Sequence, residues 1–353
     1  MLDALSTSAD GTMRLWDLTN GAQLQRLDER SAINRAALSA DGKQLLVGLD
    51  DHTAQLQSLD SGAPPHVFSG HNDGVKDVAF SPDGKQLVSA ANDGSMILWN
   101  ASTGALIHVM QVPAKSSITA VMFSPDGKTL VTGGAGDNAV RLWDVVKGTE
   151  VISFTDHTDA LNTVAFSPDG HSVLSASSDR TMTLWNVVPG KGFGQPLQTF
   201  KGHTAKVRDA AFTPDGKQIL SASEDRTLIL WDAASGKPIR RFTQHSDAVL
   251  AVALSADGRF AASGSADNTV ILWDVATGRA LRRFEGHTGA INKVLFSPDA
   301  SKLFSMSNDK TIRVWRIDSP EALVAWANAN RYHPELTCEQ EQLYKLPTTH
   351  CTP

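Results

Sequence analysis

The chain has 353 residues, 41% hydrophobic and 20% charged, which is the composition of a globular protein with room for one large domain or two ordinary ones. Its formal net charge of -6 gives no global positive field to gather phosphate backbones, so nucleic acid is not an expected partner. No run approaches the roughly 20 apolar residues of a membrane span, no basic-then-apolar leader opens the chain, and both cysteines, Cys338 and Cys351, fall near the end, so the expectation is a cytoplasmic body held by neither disulfides nor thiolate metal sites.

Residues 1–17, "MLDALSTSADGTMRLWD", read as two short strands around a turn, a partial repeat left as an orphan hairpin. Met1 aligns with Gly84, inside a turn of a later copy. Two expectations stay open: the hairpin docks as a partial blade, or the chain starts inside a repeat of a longer protein.

Over nearly all of residues 1 to 317 one pattern recurs. Trp16, Trp99, Trp143, Trp185, Trp231, Trp273 and Trp315 share a context, Gln57 stands where one more is due, and successive spacings are 41, 42, 44, 42, 46, 42 and 42. A fixed period of this size decides the architecture. Within each unit, runs such as "VKDVAF", "KQLVSAA" and "SMILWN" alternate with the period of half-buried strands. Turn chemistry separates them: S-P-D-G, T-P-D-G or S-A-D-G first, then N-D-G, S-D-R, E-D-R or A-D-N. A fourth run, such as "ALRRFEGH", leads to the next unit.

Four short strands per unit, Gly-His pairs starting at 70, 202 and 286, and Trp-Asp pairs starting at 16, 143, 231 and 273 closely resemble the WD-repeat β-propeller family. The resemblance implies an all-β, seven-bladed propeller over residues 22–317, with strands a to d running outward from the axis. In that parse "AQLQRLD", residues 22–28, supplies the outer strand of the last blade; the alternative is eight blades with a partial first one.

His, Ser, Asp and Trp recur in register as His71, Ser89, Asp93, Trp99; His157, Ser175, Asp179, Trp185; His203, Ser221, Asp225, Trp231; His245, Ser263, Asp267, Trp273; and His287, Ser305, Asp309, Trp315. A catalytic triad is needed once, not five times. The resemblance implies that these residues form a structural hydrogen-bonded network, and the expectation is a protein with no catalytic site. The second unit lacks the set, with Val47 and Gln57 in its place. The fourth lacks Gly-His and keeps Thr132, so both are expected to open first.

"PGKGFGQ", residues 189–195, has alternate glycines and a lysine, but a strand rather than a helix follows, so it reads as a long loop and no cofactor is implied. The Arg pairs of "IRRF" and "LRRF" read as charges that guard exposed edges. After the ring, Ser319 and Pro320 open one short helix and Thr337 with Gln340 a second, giving a helical tail over 319–353. His333, Cys338, His350 and Cys351 match no zinc spacing, so no metal is expected. On "RYHPELTCEQ", the tail is similar to those ending WD-repeat arrays in large bacterial signalling proteins with a kinase or nucleotide-hydrolysing domain upstream.

The resemblance places partner contacts on the face made by the d-to-a and b-to-c loops. Carried onto this sequence, the candidate contacts are Lys76, Asn92, Asn162, Lys206, Arg208, Glu224, Leu250, Asn292 and Asn308. Lys76, Lys206 and Arg208 suit an acidic or polar protein segment. The expected function is a non-enzymatic interaction scaffold binding peptide segments. The alternative is the sensor module of a larger bacterial kinase or nucleotide hydrolase, whose partner is an upstream domain of the same polypeptide.

Overall fold

The computed structural model describes residues 63–296 apart from 114 and 115, the segments 3–7, 12–17, 23–28, 33–39 and 44–58, and residues 300, 302–307 and 312–317. The expected helices of 319–353, with His333 and both cysteines, lie outside the described residues.

The described residues form eight antiparallel sheets in chain order and no helix. Six are four-stranded. The second sheet is Ile33–Leu38, Gln44–Leu49, Thr53–Ser58 and His66–Ser69, and the same a-b-c-d order repeats to the seventh, Val249–Leu254, Phe260–Ser265, Val270–Asp274 and Ala280–Phe284. The first sheet has three strands, Asp3–Thr7, Thr12–Asp17 and Gln23–Asp28, and so does the last, Ile291–Phe296, Lys302–Ser307 and Ile312–Arg316. The fold is that of an all-β propeller-like array.

One expectation is corrected. Gln23–Asp28 pairs with Thr12–Asp17, from Trp16 opposite Gln23 to Thr12 opposite Asp28, instead of completing the last sheet. The hairpin of residues 1–17 is therefore the start of a three-stranded sheet. Asp3–Thr7 also lies beside Lys302–Ser307, which brings the two ends of the array together.

The a strands of the second to eighth sheets neighbour one another in sequence and form the inner wall. Each a strand runs from a d-to-a loop to an a-to-b turn, so the d-to-a and b-to-c loops share one rim and the a-to-b and c-to-d turns the other. The a-to-b turns close by side-chain chemistry. Ser81 Oγ donates to Asp83 at 2.7 Å and accepts from the Gln86 amide at 2.9 Å, while Gly84 takes φ = 69°.

Between sheets, a strand-d aromatic packs on the Trp of the next unit. Phe154 stacks on Trp185 at 4.8 Å, and Phe200 meets Trp231 edge-on at 5.6 Å. Both Phe200 and Trp231 are almost fully buried, so the core is a series of inter-sheet layers. The third sheet offers Met110 in that place, packed with Trp143.

Candidate functional site

The recurring polar residues form the expected network. In the sixth sheet His203 Nδ1 donates to Asp225 at 2.8 Å, His203 Nε2 meets Ser221 Oγ at 2.7 Å, and Trp231 Nε1 donates to Ser221 Oγ at 2.8 Å. The fifth sheet, with His157, Ser175, Asp179 and Trp185, and the seventh, with His245, Ser263, Asp267 and Trp273, match it within 0.1 Å. In the last sheet Ser305 Oγ joins His287 and Trp315, and Asp309 lies outside the described residues. Ser175, Ser221, Ser263 and Ser305 are 0% exposed, so these hydroxyls meet no substrate.

Electrostatics follow the geometry. Burial pushes the Asp225 carboxyl up, but hydrogen bonds from His203 and Thr227 and the nearby imidazole outweigh it and hold the group far below the usual carboxylate range. Asp267 behaves likewise with His245 and Thr269. The third sheet differs: His71 Nδ1 meets Ser95 Oγ at 2.6 Å and stands 3.6 Å from Asp93, and burial lowers its affinity for a proton.

The two irregular units differ from each other. In the second, the Gln57 side-chain amide donates to the Ser58 and Ala63 carbonyls and Val47 is fully buried, so no network forms. In the fourth, Trp143 Nε1 donates to Thr132 at 2.9 Å, and the buried Arg141 guanidinium takes the missing imidazole's role, donating to Asp137 and lying 3.2 Å from Glu150. The sequence does not single out Arg141, because Arg14 and Arg313 stand at the same place before Trp16 and Trp315.

The candidate contact residues described all lie on the rim of d-to-a and b-to-c loops. Lys206 and Arg208 are exposed on one unit; the Arg208 guanidinium is 3.7 Å from Glu224, whose backbone amide donates to the Lys206 carbonyl. Lys76 pairs with Asp50 at 3.0 Å, and Asn34 donates to the same carboxylate, which holds Asp50 below its usual range. Asn92 and Asn292 are exposed and Leu250 half-buried. Asn162 is committed internally: its amide donates to Ser178 and, at 2.8 Å, to the Val207 carbonyl of the next sheet. Asn34 and Thr119 make the same stitch, to Val75 and Leu161. Asn308 lies outside the described residues.

The inner wall carries acidic residues that the repeat pattern does not mark. Asp77 and Asp209, third from the start of related a strands, accept from the backbone amides of Val121 and Val252 in the next sheet, where the strands carry register shifts. Arg35 lies 3.5 Å from Asp77, and Lys293 reaches past the seventh sheet to 3.6 Å from Asp209. Burial raises the Asp77 carboxyl, and Arg35 and Lys293 oppose it. No group of three or more metal-ligating side chains occurs among the described residues.

Comparison with known proteins fits this geometry. Six stretches, 62–100, 104–144, 148–186, 194–232, 236–274 and 278–316, match the family described as "WD domain, G-beta repeat". The chain is 28% identical over 229 residues to human serine-threonine kinase receptor-associated protein, covering 54% of this chain and 65% of that one. It is 28% identical over 183 residues to nuclear distribution protein PAC1 of Coccidioides posadasii, covering 52% and 34%. A stretch of 53 residues is 49% identical to Periodic tryptophan protein 2 of Arabidopsis thaliana, 15% of this chain and 6% of that one. The chain thus spans from under a tenth to about two thirds of the length of these eukaryotic relatives. Among solved structures, the computationally designed Ika8 protein superposes with a TM-score of 0.79 at 28% identity, covering 89% of this chain and 93% of that one.

Proposed function

The chain belongs to the WD40 family of WD-domain, G-beta repeats, and on that premise we propose that it is a non-enzymatic scaffold that binds a protein segment on the rim of d-to-a and b-to-c loops. The observation that carries this reading is a rigid rim bearing uncommitted charge. Buried His-Asp-Ser-Trp networks pin the loops, while Lys206 and Arg208 stand exposed beside each other with one loose partner, Glu224. Two cations against one carboxylate favour an acidic or polar segment. Asn162 drops out of the contact set because its amide is spent on the neighbouring sheet. The described contact residues include no Trp, Tyr or Phe, so affinity is modest.

In this reading the eight sheets make one ring, with three strands described in the first blade and three in the last. The matched relatives are named for nuclear distribution and receptor association, which agrees with adaptor roles and says nothing of a bacterial kinase or hydrolase. The test is Lys206→Glu with Arg208→Glu in a pull-down, beside Lys237→Glu on the opposite rim. Loss of the main captured protein only in the double variant supports the reading, and unchanged capture removes this face.

A further inference from the structure

On the rim opposite the partner face, a cavity of about 260 Å³ opens between the sixth and seventh sheets. Its walls are apolar at Leu230, Ile239, Val275 and Ala276 and cationic at Arg240 and Arg259. Arg240 Nε is buried there with no hydrogen-bond partner. A buried N–H on a cation is costly to leave unsatisfied, so a group that accepts from it gains the full difference. The Arg259 guanidinium sits 5.0 Å from the centre of the Phe260 ring, which steadies the second cation.

The two nearby carboxylates, Asp274 and Asp257, are already hydrogen-bonded and leave Arg240 Nε without a partner. Asp274 already accepts from the Thr277 amide and hydroxyl, both at 2.7 Å. These bonds lead in holding its carboxyl low, with Arg259 and Arg240 adding to them. Asp257 also faces Arg259, and its Oδ1 already accepts from the Ser255 hydroxyl and the Arg259 amide, so what the cavity offers a ligand is the unpartnered Arg240 Nε over an apolar floor.

The repeat supplies internal controls. Arg240 lies over Gly278, as His66 lies over Gly104, His108 over Gly148, Ile152 over Gly194 and Gln198 over Gly236. The fold therefore accepts imidazole, aliphatic and amide side chains here, and packing alone does not require a guanidinium. We propose that this cavity is an oxyanion site, taking one carboxylate or phosphate group carried on a short apolar stem, with Arg240 as its main donor and Arg259 closing the charge. The site is independent of the partner face.

The experiment is calorimetric titration of the full chain with inorganic phosphate and, separately, propionate, at ionic strength fixed with chloride. Saturable heat with either probe is expected, and which probe binds tells whether the oxyanion is a phosphate or a carboxylate. Arg240→Gln copies Gln198 and should fold; it is expected to weaken binding roughly tenfold, the loss of one charge-assisted hydrogen bond. Arg259→Lys, the residue type of the equivalent Lys217, should weaken it less, and thermal melting verifies that both variants fold. No saturable heat from either probe overturns the proposal, and so does equal binding by Arg240→Gln.

Discussion

Phe242 of the sixth sheet meets Trp273 of the seventh edge-on, ring centroids 5.2 Å apart and planes at 78°. Phe242 is 2% exposed and Trp273 1%, and they share one layer with Val249, Val252 and Ile271. The pair couples one repeat to the next.

Phe242→Ala should therefore cost about 3–5 kcal/mol, the usual loss for emptying a buried aromatic site. In an array the effect is shared by neighbours. Denaturant unfolding should show it, with faster hydrogen exchange in both Leu228–Asp232 and Val270–Asp274. Exchange speeding up in the sixth sheet alone would show that the aromatic contact does not couple the repeats.

His71 should make the third sheet acid-sensitive. Burial lowers its proton affinity in the folded state, so as pH falls below the ordinary histidine value near 6.5 the unfolded chain takes up the proton first. The stability that His71 contributes is present above that pH and declines as pH drops toward the lowered folded value. Asp225 and Asp267 act in a lower window: their depressed carboxyls stabilise above about pH 4 and that contribution is lost as pH falls further. The gap in melting temperature between the protein and His71→Gln is expected to narrow between about pH 7 and pH 5. A constant gap across that range would rule out a proton-linked role for His71.

Much of this was legible because the repeat prints the same residues at the same spacing. The Trp period set the units, the S-P-D-G turns set the strand ends, and fivefold recurrence of His, Ser and Asp marked them as structural. Strand pairing at the ends was not legible, because "AQLQRLD" suits the outer edge of either the first or the last sheet. Its partner Thr12–Asp17 is separated from Gln23 by only five residues, and the small loop-closure cost decides for the local pairing. On the candidate site, sequence placed Lys206 and Arg208 on the loop rim. It could not tell that the Asn162 amide is bonded to the Val207 carbonyl, because that partner is a backbone group in the next repeat. Asp77 and Asp209 were hidden for a related reason: they interrupt apolar strands, and their purpose is visible only in the amides of Val121 and Val252 that donate to them from the next sheet.

The irregular units give the last prediction. From the sequence, the second and fourth units look equally weak, since each lacks the loop histidine. The structure separates them. Arg141, 5% exposed, pairs with both Asp137 and Glu150, whereas Gln57 only satisfies its own amide on nearby carbonyls. Native-state exchange should therefore find Gln44–Leu49 opening before Thr129–Ala135. Arg141→Thr places in the fourth sheet the residue that Thr183 supplies in the fifth, so the backbone should tolerate it. Without the guanidinium, Asp137 and Glu150 face each other's charge across a partly buried site. The loss should be roughly 2–3 kcal/mol, below that of a fully buried pair because water still reaches both carboxylates. The fourth sheet should then open as early as the second. If Thr129–Ala135 already exchanges as fast as Gln44–Leu49 in the unaltered protein, Arg141 does not replace the missing network.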